Sequence, residues 1–491
     1  MRQRKSLASK ISLAAIIALF SLGVSAQEAL RLPDMGSTTT RVLSAEQERT
    51  FARDFERYMR AHNLLVEDPL IRDFFEDMGF RLVSHSSRPS AEFHFFIMRD
   101  PSINAFASVS GVIGLNAGLI LLAHDESEVA GVVAHEIAHV TQDHLARGME
   151  NAQQVSLPVM IASLGLAVAA GMAGASGDAT GAVMMSGMGL ARQLQINHTR
   201  QAEAEADRVG IGLLARAGYD PHGMVRFFER MNVQSRVMGA GPPEYLRTHP
   251  LTVNRTAEAR SRAEQFHVVA PRDSVQFHFV QSRLRVLMSQ SHQASEDWFT
   301  TRLARGERPE AAMRYGLALT LINARRFDDA WEQIEKLLVS DPDKQLIRLL
   351  EAEFMLASGN RAAAVDRLAA LYDEFPGSRM VTTQYARALM HDGSSEEAAR
   401  AADVLRRYLR AFPNDLAMTE LLAQAANRSG DTVRAAEAQA QSYYMRGGVT
   451  VAIEQLEMIE RRDDLDYYQR ARISARLAEL RSEQIRMMTR R

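Results

Sequence analysis

Two histidines flank a glutamate in the stretch GVVAHEIAHVTQDHLA, residues 131–146. Positions four apart on an α-helix are separated by about 40° around its axis, so His135 and His139 can offer ring nitrogens to one ion. Zinc accepts neutral imidazoles in tetrahedral geometry, and Glu136 lies beside the pair without having to be a ligand. Zinc can lower the pKa of a bound water toward roughly 7, which would leave Glu136 free to take its proton. The pattern predicts a zinc-dependent hydrolase.

A catalytic zinc ion needs a third protein ligand, which must come from elsewhere in the chain. The metzincin arrangement would require glycine at 142 and histidine at 145, where this chain has Gln142 and Leu145. The stretch QAEAEAD, residues 201–207, is the best source, because Glu203 and Asp207 are four apart on one helical face. We predict that Glu203 is the ligand and that Asp207 accepts the remaining N–H of a ligating imidazole.

Other polar residues near the two motifs have weaker claims to a role. Glu205 points away from the face that carries Glu203 and Asp207, and we expect it to meet solvent. His144 follows His139 at about 140° around a continuous helix, so we expect a surface residue. His124 has no assigned role.

Hydrophobic periodicity predicts that both motifs lie on helices. Asp125 and Glu128 form a possible capping box at the start of the first helix. Its apolar face consists of Val129, Val132, Val133, Ile137 and Val140. The second helix covers roughly 199–217, and Gly218 and Pro221 end it.

The region before the first motif predicts two helices and then two strands. The helices cover 44–60 and 69–84, and the strands cover 92–98 and 109–116, with a turn-rich connection between them. Three glycines interrupt the end of this region: Gly111, Gly114 and Gly118. We expect the second strand to be a sheet edge at which a substrate peptide can add as an extended strand.

The segment at 157–191 contains a single charged residue, Asp178, and is rich in glycine, alanine and methionine. A membrane span is one interpretation, although Gly and Ala contribute little transfer energy. A buried helical hairpin is another. We favour a mobile apolar lid near the site, because Gly and Met suit an adaptable surface.

The N-terminus has the composition of a secretory signal. The first ten residues contain four basic residues and no acidic one. An apolar run follows at 11–24, and small residues come at its end, Val24-Ser25-Ala26. A membrane anchor is the alternative, but the run is short for a span. Cleavage near Gln27 would move the formal net charge from −2 to −6, which gives no electrostatic case for nucleic-acid binding. The chain has no cysteine, so packing alone must hold an exported protein together.

The C-terminal part repeats with a period of 34 residues, which is typical of tetratricopeptide repeats. Ala330 aligns with Ala364, and Pro342 aligns with Pro376. About four helix pairs and a terminal cap are expected to stack into one solenoid. Such solenoids usually bind polypeptides, although a purely structural role is the alternative.

The predicted fold is mostly α, with a helical zinc metallopeptidase domain that contains a small β-sheet and then an α-solenoid. The expected organisation is a signal peptide at 1–26, the peptidase domain at 27–265 with its lid at 157–191, a connecting helical segment at 266–308 and the repeats at 309–491.

The motif H-E-x-x-H followed by E-x-x-A-D resembles metallopeptidase family forty-eight, the gluzincins that include the HtpX-type and CAAX prenyl proteases. INAFA upstream and AGYDP downstream belong to the same resemblance, which covers roughly 44–262. It implies that one Zn²⁺ per chain is bound by His135, His139 and Glu203, with Glu136 as catalytic base. It also implies that the lid segment plugs the active site.

A signal peptide and tetratricopeptide repeats narrow the resemblance to periplasmic members of this family. It implies that His249, in the stretch LRTHPLT, can occupy the open zinc position and keep the enzyme latent. From the residues alone, a histidine before proline is more often a turn residue, and stabilisation of the oxyanion is another alternative role.

The resemblance implies a periplasmic endopeptidase and chaperone-like quality-control factor that degrades misfolded or stalled outer-membrane β-barrel proteins. The implied partners are these clients and the β-barrel assembly machinery, reached through the repeats. Peripheral membrane contact through 157–191 is possible, and no nucleic acid is expected. The alternative is a tetratricopeptide chaperone or scaffold with latent protease activity.

Overall fold

The computed structural model describes residues 45–108, 110–151, 199–237, 243–267, 275–307, 309–341 and 344–489. The predicted signal peptide and the predicted lid lie outside these residues. The described part is mostly helical and contains a small sheet, which confirms the predicted fold class.

Two helices precede the sheet, α1 (Ala45–Ala61) and α2 (Pro69–Ser84), close to their predicted positions. The Asp68 side chain begins α2 by accepting hydrogen bonds from the backbone amides of Leu70 and Ile71. A proline fits the first turn because no intrahelical donor is needed there. The apolar side of α2 packs against the sheet and the helices that follow, so it forms part of the core around the site.

The sheet has three strands in the order β1-β3-β2: β1 (His94–Met98), β2 (Ala105–Ala107) and β3 (Val112–Asn116). Strand β3 is parallel to β1 and antiparallel to β2. Our prediction that the second strand is an edge was therefore wrong, because β3 is the central strand and is buried along its length. The stretch predicted as a connection supplies β2, the edge strand on the other side of β3.

The glycines of this region make room for the protein's own groups. A Cβ atom on Gly114 would lie 2.4 Å from the ring of Phe106, which crosses it from the neighbouring strand. A Cβ on Gly118 would lie 1.9 Å from the carbonyl oxygen of Pro101. Close packing, and not exposure to a substrate, explains these two glycines.

Helices continue after the sheet as α3 (Ala117–Leu122), α4 (Glu126–Thr141), α5 (His144–Asn151), α6 (199–216), α7 (His222–Val237), α8 (Glu244–Thr248) and α9 (Val253–Ala263). The predicted motif helices are thus α4 and α6. Gly218 ends α6 with a φ of 83°, a left-handed conformation that glycine adopts without strain.

Helix α4 is buried along nearly its whole length and carries the H-E-x-x-H motif through the core. Its N-terminus differs in one detail from the predicted capping box. The Asp125 carboxylate accepts from the Glu128 amide at 2.9 Å, but the Glu128 carboxylate accepts from the amide of His124 and not from that of Asp125. Arg230 on α7 donates to both oxygens of Glu128, which ties α4 to α7.

The solenoid consists of antiparallel helices that follow the predicted repeat. The connecting segment forms α10 (Val275–Met288) and α11 (His292–Ala304). The helix pairs are α12 (Glu310–Asn323) and α13 (Phe327–Ser340), α14 (Gln345–Ala357) and α15 (Arg361–Glu374), α16 (Arg379–Met390) and α17 (Ser395–Ala411), and α18 (Leu416–Ser429) and α19 (Thr432–Met445), before α20 (Val449–Glu460) and α21 (Tyr467–Thr489). Equivalent alanines are fully buried between the helices: Ala330, Ala364 and Ala401. None of the helices among the described residues combines the length and hydropathy needed to cross a membrane.

The solenoid packs directly on the catalytic part of the chain. Buried apolar side chains of the catalytic part and of the solenoid form one connected core, whose members range in sequence from Val66 to Ala438. Asp68, the cap of α2, pairs with Arg283 on α10 at 2.7 Å. Farther along, Arg379 on α16 lies 3.7 Å from Asp73 on α2 and also donates to Asp415, within the solenoid, at 2.8 Å. The repeats and the catalytic part therefore share ionic contacts as well as apolar ones.

The Arg379–Asp415 pair is almost fully buried: 4% of the surface of Arg379 and 6% of that of Asp415 is exposed. Burial raises the pKa of Asp415, but the charge of Arg379 and its hydrogen bond outweigh this and lower it. We expect Asp415→Asn to destabilise the protein by about 3 kcal/mol, because it leaves a buried guanidinium without its counter-charge. Urea denaturation followed by circular dichroism measures the loss.

At acidic pH, Asp415→Asn and the wild type should have the same free energy of unfolding. The folded-state pKa of Asp415 is depressed, so the pair contributes above the ordinary pKa of aspartate, about 4, and is lost as the pH falls below it. The control is Asp464→Asn, which removes an exposed pair with Arg462 and should leave the denaturation midpoint unchanged. Equal midpoints for both variants at neutral pH would contradict the prediction.

Candidate metal centre

Four side chains from three parts of the chain bring potential ligand atoms within 4.8 Å of one another: His135, His139, Glu203 and His249. Helix α4 carries the two neighbouring histidines, α6 carries the glutamate, and His249 ends α8. The Nε2 atoms of His135 and His139 are 3.0 Å apart. Each lies 3.4 Å from an oxygen of Glu203. The structure thus brings together the three residues predicted as metal ligands.

Asp207 lies behind the first of these histidines. Its Oδ1 is 2.9 Å from Nδ1 of His135. A carboxylate can only accept, so Nδ1 carries a proton toward Asp207, and Nε2 is the atom turned to the cluster. Burial raises the pKa of Asp207, but hydrogen bonds from His135 and Arg255 outweigh it and lower the pKa.

Arg255 on α9 contacts the carboxylates of Glu203 and Asp207 on α6, and no sequence pattern had indicated this residue. It donates to the two oxygens of Asp207 at 2.7 and 2.8 Å and lies 2.9 Å from Oε2 of Glu203. The side chain of Thr252 caps the start of α9 by accepting from the Arg255 amide. A Thr-x-x-Arg stretch after the T-H-P sequence was the only signal, and it carries no information about a distant partner.

Burial and hydrogen bonding set the pKa values of the cluster in opposite directions. Burial lowers the pKa of His135, but hydrogen bonds to Asp207 and Glu203 raise it to about 10. Burial lowers the pKa of His139. For Glu203, burial raises the pKa, but hydrogen bonds from the three histidines hold it well below its usual range. Without a metal ion, the His135 ring is therefore protonated, and its positive charge is attracted by the neighbouring carboxylates.

The donor set fits a divalent cation. Three carboxylates are buried here, Glu136, Glu203 and Asp207, and one guanidinium, Arg255, contacts the last two, so in their ionised forms two negative charges remain unbalanced. Buried charge is costly unless it is paired, and a divalent ion among neutral imidazoles supplies the balance. Imidazole and carboxylate are ligands that zinc prefers. To bind zinc, the site must first release the extra proton of His135.

Glu136 adjoins the cluster from the side. It is 1% exposed, and its Oε1 has no hydrogen-bond partner among the described residues. Nε2 of His249 lies 3.4 Å from this oxygen. An unpaired carboxylate oxygen next to a metal-binding cluster has the position expected of a proton acceptor.

His249 belongs to the cluster and is not simply a turn residue. Its Nδ1 lies 3.1 Å from Oε1 of Glu203 and 3.4 Å from Nε2 of His135. Its ring stacks on Tyr245 with 4.7 Å between centroids, and its amide donates to the Tyr245 carbonyl. The ring is therefore held over the other ligands from the side of α8.

Our expectation that His144 is a surface residue was wrong, whereas Glu205 is partly exposed, with 29% of its side chain accessible. His144 is only 5% exposed, and its Nδ1 lies 2.9 Å from Nδ1 of His139. Its Nε2 lies 3.1 Å from Oε2 of Glu205. The helical angle did not apply because α4 ends at Thr141, and Asp143 has a φ of 53°, which turns the chain before α5 begins. Burial and the charge of His139 lower the pKa of His144 to about 4.

His124, which had no assigned role, lies outside the cluster. Its Nε2 is 2.8 Å from a guanidinium nitrogen of Arg230. It therefore belongs to the contacts between the start of α4 and α7.

A sequence model of peptidase family M48 matches residues 74–263. The beta-barrel assembly-enhancing protease of Escherichia coli strain K12 is 34% identical over 484 residues, which are 96% of each chain. The protein of the same name from Yersinia pestis is 34% identical over 92% of this chain and 91% of its own length. A putative beta-barrel assembly-enhancing protease from Vibrio cholerae is 32% identical over 95% of each chain. The similarity extends over the cluster and the solenoid alike.

The cluster leads to a prediction about Glu203. We expect Glu203→Gln to weaken zinc binding by roughly 100-fold or more, because an amide removes the anionic ligand that both histidines face. Competition with a fluorescent chelator measures the affinity. Glu229→Gln, which changes an exposed ion pair with Arg260, is the matched control and should bind zinc like the wild type. Equal affinity of the two variants would remove Glu203 from the ligand set.

Proposed function

Because the chain belongs to the beta-barrel assembly-enhancing proteases of peptidase family M48, we propose that it is a periplasmic zinc endopeptidase that acts on outer-membrane β-barrel proteins during their assembly. The observation that carries this proposal is the convergence of His135, His139 and Glu203 beside a buried carboxylate, Glu136. The relatives' name supplies the class of client, and the cluster supplies the chemistry.

The reaction is hydrolysis of a peptide bond. Zinc bound by His135, His139 and Glu203 would polarise the scissile carbonyl and acidify a water molecule. Glu136 would accept the proton from that water and deliver it to the leaving amine. Its unpaired Oε1 supports this role, because no hydrogen bond within the described residues competes for the proton.

The edge strand that would hold the substrate is β2. The other edge of the sheet is covered, since the amide of Val66 donates to Ile97 at 2.8 Å and that of Arg99 donates to Leu64 at 2.7 Å. Strand β2 packs beside α4, which carries the catalytic residues. A substrate peptide added to β2 in an extended conformation would present its backbone to Glu136.

His249 would keep the enzyme latent. Its Nδ1 approaches Glu203 and His135, so the ring takes up space that a substrate carbonyl or water would need. Movement of α8, which is one short helix, would remove the ring. The alternative role is stabilisation of the oxyanion, in which case the ring must stay close during the reaction.

The solenoid would recruit clients and contact the β-barrel assembly machinery. Its stacked helix pairs provide the extended surface that such repeats use to bind polypeptides. We further propose that the protein degrades misfolded or stalled clients and assists recoverable ones. The segment at 1–26 would direct export, and the segment at 157–191 would act as a lid. The rival is a chaperone or scaffold whose metal centre stays closed, and the position of His249 within the cluster is the observation that favours it.

The test of the proposed activity is Glu136→Gln. We expect the variant to keep its zinc and lose cleavage of an unfolded outer-membrane protein by about 100-fold or more, because the amide cannot accept the proton. Zinc content and gel-based cleavage are measured on the same sample. Glu150→Gln, on α5, is the control. Cleavage by Glu136→Gln at the wild-type rate would exclude Glu136 as the base.

The two roles of His249 predict opposite effects of His249→Ala. A latch predicts basal proteolysis several-fold above the wild type, because the substrate no longer competes with the ring. Oxyanion stabilisation predicts a lower rate at saturating substrate. The measurement is the initial cleavage rate over a range of substrate concentrations, and an unchanged rate would argue against both roles.

A further inference from the structure

The second metal-ligating histidine has a partner of its own on the side away from the cluster. His139 and His144 touch through their Nδ1 atoms, 2.9 Å apart, and the rings meet edge to face with 4.8 Å between centroids. Two ring nitrogens at this distance share a single proton, so one must donate and the other must accept. Which of them donates decides where the lone pair of His139 points.

Glu205 settles the direction of that hydrogen bond. The second nitrogen of His144, Nε2, lies 3.1 Å from Oε2 of Glu205. A carboxylate accepts, so Nε2 of His144 carries the hydrogen. Nε2 of His139 is the nitrogen that faces His135 and Glu203, so a ligating His139 has its hydrogen on Nδ1 and donates it to Nδ1 of His144. A neutral ring with hydrogen on Nε2 has its lone pair on Nδ1 and accepts from His139.

We propose that Glu205 and His144 are positioning residues of the metal centre, which hold His139 in the form that has its hydrogen on Nδ1 and its lone pair on Nε2. That nitrogen is the one that lies 3.0 Å from Nε2 of His135 and 3.4 Å from Glu203. The two ligating histidines are thus oriented by separate carboxylates. Asp207 acts directly on His135, and Glu205 acts on His139 through a second imidazole.

We call the chain of contacts from Glu205 through His144 to His139 the relay, and neighbouring residues hold it in place. Asp143, with its positive φ, pairs with Arg88 at 2.8 Å, which anchors the turn that brings His144 inward. Arg147 and Arg208 approach Glu205 at 2.9 and 3.8 Å and keep its carboxylate beside the ring. The contacts reach from the loop before β1 to α6, so the relay depends on the folded catalytic part and not on α5 alone.

The relay rests on the metal centre of the proposed function, and its test measures metal binding and not proteolysis. We expect His144→Leu to weaken zinc binding by roughly 10-fold to 100-fold, because His139 loses the acceptor that fixes its hydrogen. His144→Gln should recover most of the affinity, since a side-chain carbonyl oxygen can accept from Nδ1. Zinc affinity by chelator competition, with circular dichroism to confirm folding, measures both. His391→Leu, at an exposed position in the solenoid, is the control.

Glu205→Ala gives an independent measurement if His144→Leu does not fold, because Glu205 is partly exposed and its loss leaves no cavity in the core. We expect it to weaken zinc binding several-fold. Wild-type affinity in the folded His144→Leu or Glu205→Ala variant, or a His144→Gln variant as weak as His144→Leu, would overturn the relay while the proposed function stands. A wild-type protein that binds no zinc would overturn both.

Discussion

The site depends on buried carboxylates that are held next to buried imidazoles. Glu203 and Asp207 lie on α6 with 3% and 5% exposure, and neither could remain ionised there without compensation. Arg255 compensates one charge, and the proton shared with His135 compensates another in the metal-free protein. A divalent ion replaces the proton and supplies one more positive charge. With Glu136 counted as the third buried carboxylate, one negative charge remains in the metal-free cluster, and the divalent ion balances it.

Such a cluster needs a rigid frame, which small residues make possible. A Cβ on Gly131 of α4 would lie 3.0 Å from Cα of Met224 on α7. A Cβ on Gly210 of α6 would lie 3.2 Å from the backbone nitrogen of His135. The three helices thus approach one another more closely than larger residues would permit, and the close approach of α6 to α4 brings Glu203 within reach of both histidines.

Local sequence patterns were enough to group the candidate ligands and Asp207, but they did not indicate Arg255 or the inward turn of His144. His135 and His139 are one turn apart, so the helix alone brings them together, and Glu203 and Asp207 follow the same rule on α6. The inward turn of His144 depends on the left-handed conformation of Asp143, which no periodicity indicates. The central place of β3 likewise depends on pairing with two strands, one of which is three residues long and has no signal of its own.

The repeats were predictable for the same reason as the ligands, since their period is local, whereas their attachment to the catalytic part was not. One link is α1, whose Arg57 lies 4.8 Å from the centre of the Tyr444 ring and 3.8 Å from Glu483 on α21. Two residues earlier on α1, the ring of Phe55 packs on Phe106 of β2, with 5.9 Å between ring centroids. One helix thus contacts both the C-terminal end of the solenoid and the edge strand beside α4. If the C-terminal end of the solenoid moves, α1 must move with it or lose the contacts of Arg57. The solenoid and the catalytic part are therefore physically connected through α1.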